Sequence, residues 1–280
     1  MACGPRTSMP QDCAGASHCL AGGWASDTSH PTSIPFLGTR TATPTCTAAA
    51  STLVRAVLAG PLRPAAVVAS GPAATYLDAG GDLVAVVVPG GVRLPCALVL
   101  ATPGPLPTGG DLAVGAGAVW QAGEPVVTLR RWFDPRVCLA AVDPEALARL
   151  QAAVHATPAP DPAVPGSPGP VEDLLGLGAG LTPSGDDLLA GWLAALRARR
   201  LPQADAVGAA VRQLAPGRTT RLSAALLAAA DEGAVIPEAA AVLRAVGGAG
   251  DVGEAAGRLL RLGHTSGWYL AAGLALGCAA

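Results

Sequence analysis

GLGAGLTPSGDDLLAG, residues 176–191, decides how the second half of the chain is read. Gly176, Gly178 and Gly180 recur at every second position, so the backbone there can take positive φ and approach another group closely. Thr182, Pro183 and Ser184 carry helix-start chemistry. Ser184 with Asp187 three residues on makes an S-x-x-D capping pattern, whereas a cap at Thr182 puts Pro183 at the first helical position. Either way, Gly185 and its neighbours bring unpaired backbone N–H groups to the positive end of a helix dipole, a geometry that binds anions. A helix start needs one capping residue. The extra glycines, the hydroxyls and the paired carboxylates Asp186 and Asp187 therefore mark a candidate site, beyond simple compensation of the dipole.

Downstream, everything reads as helix. Residues 188–200 end in a basic turn before Pro202, and further helices are expected over 204–214, from Thr219 or Thr220 to Gly233, from Pro237 to Gly247, and over 252–262. A last helix starts at Thr265-Ser266-Gly267. Short connections between short helices imply an antiparallel bundle. TPSGDDLLAG and TSGWYLAAG also echo one another, which sets Gly191 against Gly273 and predicts two helices packed closely through glycine.

Upstream, brief segments rich in β-branched residues (65–70, 75–77, 83–88, 97–101, 112–114, 118–120 and 126–129) alternate with Gly/Pro/Asp turns, the pattern of a small β-barrel or sandwich. Trp132 and Phe133 read as aromatic core at a strand exit. Asp143-Pro144-Glu145 opens a helix that runs to His155, and TPAPDPAVPGSPGP follows as a semi-rigid linker. The expected layout is α+β. Residues 1–48 form an irregular leader or lie upstream of the true start, 49–156 a mainly β domain, 157–170 the linker, and 171–280 a helical domain carrying the anion-binding loop.

Composition narrows the function. All 18 basic residues are Arg, so a lysine Schiff base or nucleophile is excluded, as is a Walker-type phosphate loop. A net charge of −2 gives no electrostatic case for nucleic acid. No apolar run suits a membrane span, no secretion signal is evident, and a disulfide framework is not expected from the seven cysteines; a cytoplasmic location is the expectation. Cys13, His18 and Cys19 lack a fourth partner at finger spacing.

Two more segments in the helical half are richer in polar chemistry than helix starts require. Gly217-Arg218-Thr219-Thr220-Arg221-Leu222-Ser223 puts guanidiniums and hydroxyls at a helix N-terminus, where Arg218 suits phosphate or carboxylate. Gly263-His264-Thr265-Ser266-Gly267 adds hydroxyls behind a histidine able to act as acid or base. The candidate site thus has Asp186, Asp187 and His264 in catalytic roles. Gly178, Gly180, Thr182, Ser184, Gly185, Arg218, Thr219, Thr220, Thr265 and Ser266 bind the anionic ligand. No cofactor is required; Mg²⁺ at Asp186 and Asp187 would need waters and substrate oxygens to complete its shell.

GLGAGLTPSGDDLLAG, RTTRLS and RLLRLGHTSGWYLAAGLALG, in this order, resemble the bacterial family of the oxamate carbamoyltransferase subunit AllH. The resemblance extends from about residue 50 and is sharpest over 174–277. It implies carbamoyl transfer between oxalurate and phosphate, giving oxamate and carbamoyl phosphate, in anaerobic allantoin breakdown. It also implies a hetero-oligomer in which one partner is similar to acyl-CoA synthetases. It carries no catalytic residues over to this chain, so the site above rests on the residues themselves. Two other readings stand beside it: a non-catalytic partner subunit whose anion site stabilises a complex, and a metal-dependent hydrolase using the Asp pair with His264.

Overall fold

The computed structural model describes residues 45–161, 163–164 and 169–280. Most of the expected leader, with the Cys13/His18/Cys19 group, lies outside the described residues. Eight strands close into a barrel: β1 (Cys46–Ser51), β2 (Arg63–Ser70), β3 (Ala74–Ala79), β4 (Asp82–Val87), β5 (Ala97–Leu100), β6 (Leu112–Gly115), β7 (Ala118–Gln121) and β8 (Glu124–Phe133). The order around the barrel is β1-β5-β4-β3-β2-β6-β7-β8, parallel where β1 meets β8 and β4 meets β5, antiparallel elsewhere. Closure leaves no strand edge unpaired. Buried Leu77, Val84, Val86, Leu98, Val114, Val119 and Val127 supply its core. A 3-10 turn (Thr52–Val54) and the short helix α1 (Arg55–Leu58) connect β1 to β2.

β1 starts inside the stretch read from sequence as leader. CTAAAS has neither apolar alternation nor strong β formers, and it is a strand because β5 and β8 pair with it on both sides.

The helices among the described residues are α2 (Pro144–His155), α3 (Val171–Leu174), α4 (Ser184–Ala198), α5 (Gln203–Leu214), α6 (Arg221–Asp231), α7 (Pro237–Val246), α8 (Val252–Leu260) and α9 (Ser266–Ala279). Asp143 caps α2 by accepting from the Glu145 N–H, and Asp251 caps α8 likewise at Glu254. α2 packs on α7, α8 and α9, so the helical layer takes in an element from before the proline-rich stretch. The described part of that stretch is tied to α9. Trp268 Nε1 donates to the Thr157 carbonyl at 2.9 Å, and the Tyr269 hydroxyl donates to the Asp161 carbonyl.

α4 and α9 share the most extensive interface among the described elements. α9 is apolar all round and buried along nearly its whole length, as a helix enclosed by others must be. The two cross at glycine. A Cβ on Gly191 would collide with the Leu270 carbonyl oxygen, and one on Gly273 with the Leu188 carbonyl oxygen. The echo between their sequences thus corresponds to backbone contact at the crossing. At the C-terminal end of α9, the Arg199 guanidinium donates to the carbonyls of Gly277 and Cys278 at 3.0 Å each, placing a cation at the negative end of the helix.

Barrel and helices lie in one compact unit, Thr43–Ala280. They are joined by an Arg221–Asp78 ion pair, an Arg136–Glu232 ion pair at 2.8 Å, and backbone bonds from Val137 N to Gly233 O and Val235 N to Pro135 O. Among the described residues no helix is long and apolar enough to cross a membrane.

Candidate functional site

Gly176, Gly178 and Gly180 have φ of 74°, 109° and 99°, a conformation that side-chain-bearing residues rarely adopt. Two of them also permit close approach: a Cβ on Gly176 would strike the Arg218 carbonyl, and one on Gly178 would lie 2.8 Å from the Ser184 nitrogen. Gly185 packs its Cα against the Leu174 carbonyl, and its N–H donates to Leu177 O at 2.9 Å.

α4 begins differently from the capping pattern in the sequence. Ser184 is its first helical residue, Pro183 occupies the cap position without a side-chain bond, and the Asp186 and Asp187 N–H groups donate to the Pro183 carbonyl at 3.0 and 3.1 Å. The two carboxylates are thereby released from helix-start duty.

They divide the work. Asp186, 1% exposed, accepts from the Gly176 N–H at 2.8 Å on one oxygen and from the Thr219 hydroxyl on the other. The anion that the glycine loop holds is this carboxylate of the protein itself. With both oxygens of Asp186 engaged, the pair does not present two free carboxylates to Mg²⁺, and no cluster able to hold a metal ion occurs among the described residues.

Asp187 is partnered differently, although both carboxylates line the same cavity. It is 8% exposed, and its Oδ2 is buried without a hydrogen-bond partner. Burial pushes its carboxyl up to about 7; the Ser266 hydroxyl opposes this, the Asp186 charge adds to it, and the Thr182 hydroxyl opposes it again. The Thr182 and Ser266 hydroxyls are themselves 2.9 Å apart.

Asp187 faces a cavity of about 340 Å³ between barrel and helices. Thr182, Ser223 and Ser266 add hydroxyls to its lining, and Tyr76 on β3 reaches in from the barrel. Burial, with Cys96 nearby, pushes the Tyr76 phenol up, so it remains an O–H donor at neutral pH. Most of the remaining wall is apolar, including Leu94, Ala190, Leu222 and Ile236, and Val92 and Leu181 are exposed apolar residues of the lining.

The three polar segments singled out in the sequence do meet. Beyond the contacts already given, the Thr220 hydroxyl caps α6 at the Ser223 N–H and donates to the Leu181 carbonyl at 2.5 Å. Thr219 and Thr220 thus secure the loop. Gly178, Gly180 and Ser184 shape it without lining the cavity. Thr265 holds the cap position of α9 with no side-chain cap bond. The Arg218 guanidinium donates to the Glu172 carbonyl at 2.8 Å, and His264 is exposed; neither lines the cavity. The backbone N–H groups expected to meet an anion are largely spent inside the protein, among them Gly267 on Leu262 O and Trp268 on Thr265 O. Sequence reasoning missed Tyr76 and the apolar wall from the barrel, since no local signal ties β3 to α4; Ser223 belonged to the polar segment it singled out but not to the binding residues it named.

A family model described as oxamate carbamoyltransferase subunit AllH matches residues 174–278. The matched stretch runs from the end of α3 to the end of α9 and includes Thr182, Asp186, Asp187, Ser223 and Ser266. Neither the curated proteins nor the solved structures returned a match to the chain.

Proposed function

We propose that this chain is a subunit of an oxamate carbamoyltransferase-type assembly, moving a carbamoyl group between oxalurate and phosphate in allantoin nitrogen catabolism, with Asp187 as its acid–base group. The observation that carries this reading is the buried Asp187 carboxyl, one oxygen unpartnered and its proton affinity raised to near neutrality, facing a cavity with hydroxyl donors. The family match over the same residues supplies the reaction class.

In the reaction a phosphate oxygen attacks the carbamoyl carbon of oxalurate and the C–N bond breaks. The departing amide nitrogen needs a proton, which neutral Asp187 gives, and the carboxylate then recovers the proton that the phosphate surrenders. Products are oxamate and carbamoyl phosphate, and the reverse direction runs the same transfers backwards. A carboxyl group titrating near pH 7 suits both directions. Being neutral when the substrate arrives, it does not repel an anion. Hydroxyls of Tyr76 and Ser223 are the donors available to a developing oxyanion, while Ser266 is held on Asp187 and Thr182. The positive charge for the phosphate comes in this reading from a partner subunit similar to acyl-CoA synthetases, because no arginine among the described residues lines the cavity. The helical half acts as an antiparallel bundle built on the α4–α9 pair, which fixes Asp187 against Ser266.

Calorimetric titration of the chain with oxamate tests this. Saturable binding that is lost in Asp187→Asn is expected. The apolar wall and exposed Leu181 favour one second reading, a non-catalytic subunit whose cavity accepts an apolar side chain of the partner. That reading predicts no saturable heat with oxamate.

A further inference from the structure

A second concavity, of about 400 Å³, opens over β1, β5 and β8 on the barrel. Arg93, Arg130 and Arg131 line it together with Trp132 and Phe133. None of the three arginines makes an ion pair with a carboxylate among the described residues. The Arg93 guanidinium lies 5.4 Å from the Phe133 ring centroid, and Arg55 stacks on Trp132 at 4.6 Å. Such stacking holds a guanidinium in one plane while its N–H fork stays free.

Two sequence-adjacent arginines on a regular strand would project to opposite faces. Here the β1–β8 register slips between Ala48 and Ala49, which pair with Leu129 and Arg131, so Arg130 is the extra residue of a bulge. A bulge re-aims side chains, and both arginines come to line the same hollow. On the β4–β5 connection Val92, Leu94 and Pro95 face the Asp187 cavity while Arg93 faces this one. An adjoining hollow of about 180 Å³ shares Arg93 and Phe133 and adds Arg244.

In a chain of net charge −2, this concentration of guanidiniums without a carboxylate partner among the described residues is a local reversal of sign. Its volume falls in the range of small-ligand sites and far exceeds what a lone inorganic ion would fill. We propose that this hollow is a binding site for a phosphate-bearing small molecule, with the Arg93, Arg130 and Arg131 forks on the phosphate oxygens and the Phe133–Trp132 surface under the organic part. The site is independent of Asp187 and of the carbamoyl-transfer reading.

The test is calorimetric titration of the full chain with inorganic pyrophosphate at low and at moderate salt. Saturable binding is expected, weakened about tenfold or more in Arg130→Ala/Arg131→Ala and in Arg93→Ala, as loss of charge-assisted bonds requires. Arg131→Lys, which keeps the charge and loses the fork, should fall between these and wild type. The exposed control Arg149→Ala, on α2, and Asp187→Asn should bind like wild type. Absence of saturable binding overturns the proposal. So does equal weakening by Arg149→Ala, which would mark unspecific charge attraction, or loss in Asp187→Asn, which would move the ligand to the other cavity. Tighter binding of an acidic octapeptide than of pyrophosphate would make the hollow a protein-docking surface, and also overturns it.

Discussion

Replacing Asp187 by Asn should change the pH dependence of stability in a calculable way. In the folded chain burial raises the carboxyl from its ordinary 3.8 to about 7. Between those values the folded state keeps a proton that the unfolded state has released, so this group makes stability fall as pH rises. The loss begins above the unfolded pKa and is complete once pH passes the folded one. At 1.36 kcal/mol per unit, the full effect is about 4 kcal/mol. From pH 5 to pH 8 alone the same linkage gives about 2.5 kcal/mol. Asn keeps the shape and cannot ionise, so Asp187→Asn should gain on wild type by roughly that amount over the interval. Paired urea unfolding curves at the two pH values measure it, and differences between the two proteins cancel every other titrating group. A wild-type-to-variant difference that stays constant from pH 5 to pH 8 would refute a carboxyl held neutral by burial.

Other perturbations separate scaffold from chemistry. Asp186→Ala leaves the Gly176 N–H and the Thr219 hydroxyl unpaired in the interior and should cost about 3 kcal/mol or more in thermal or urea unfolding. Asp186→Asn should cost less. Gly273→Ala forces a methyl against the Leu188 carbonyl and should destabilise by about 3 kcal/mol, read as a lowered melting temperature. His264→Ala, at an exposed position outside the cavity, should leave oxamate binding within about twofold of wild type by calorimetry. Trp268→Phe removes the indole bond to Thr157 and should speed proteolytic cleavage in the proline-rich stretch without lowering the affinity for oxamate.

Much of the fold was legible because local chemistry and tertiary structure agree. Segments such as LVAVV in β4 and PVVTL in β8 combine β-branched residues with turn signals, and the barrel forms from them. CTAAAS in β1 could not be read, since its strand character comes from neighbours far away in sequence. The same limit governs the site. Positive φ at Gly176, Gly178 and Gly180 follows from glycine itself. The division between Asp186 and Asp187 does not. Successive helical residues face about 100° apart, and which of them is bonded by Gly176 and Thr219 and which keeps an unpartnered oxygen depends on where α6, α9 and the barrel lie. Tyr76 and the bulge at Arg130 were hidden for the same reason, because each acquires its role through packing or pairing with distant segments.

The most direct test of the account is the rate of carbamoyl phosphate formation from oxalurate and phosphate by the reconstituted assembly, with wild-type or Asp187→Asn chain, at pH 6 and pH 8. Loss of a positioned acid should slow the reaction by about a hundredfold or more. The wild-type advantage should be larger at pH 6, where the carboxyl is protonated, than at pH 8, where it is not. A variant that turns over within threefold of wild type at both pH values would contradict the claim that Asp187 carries the proton.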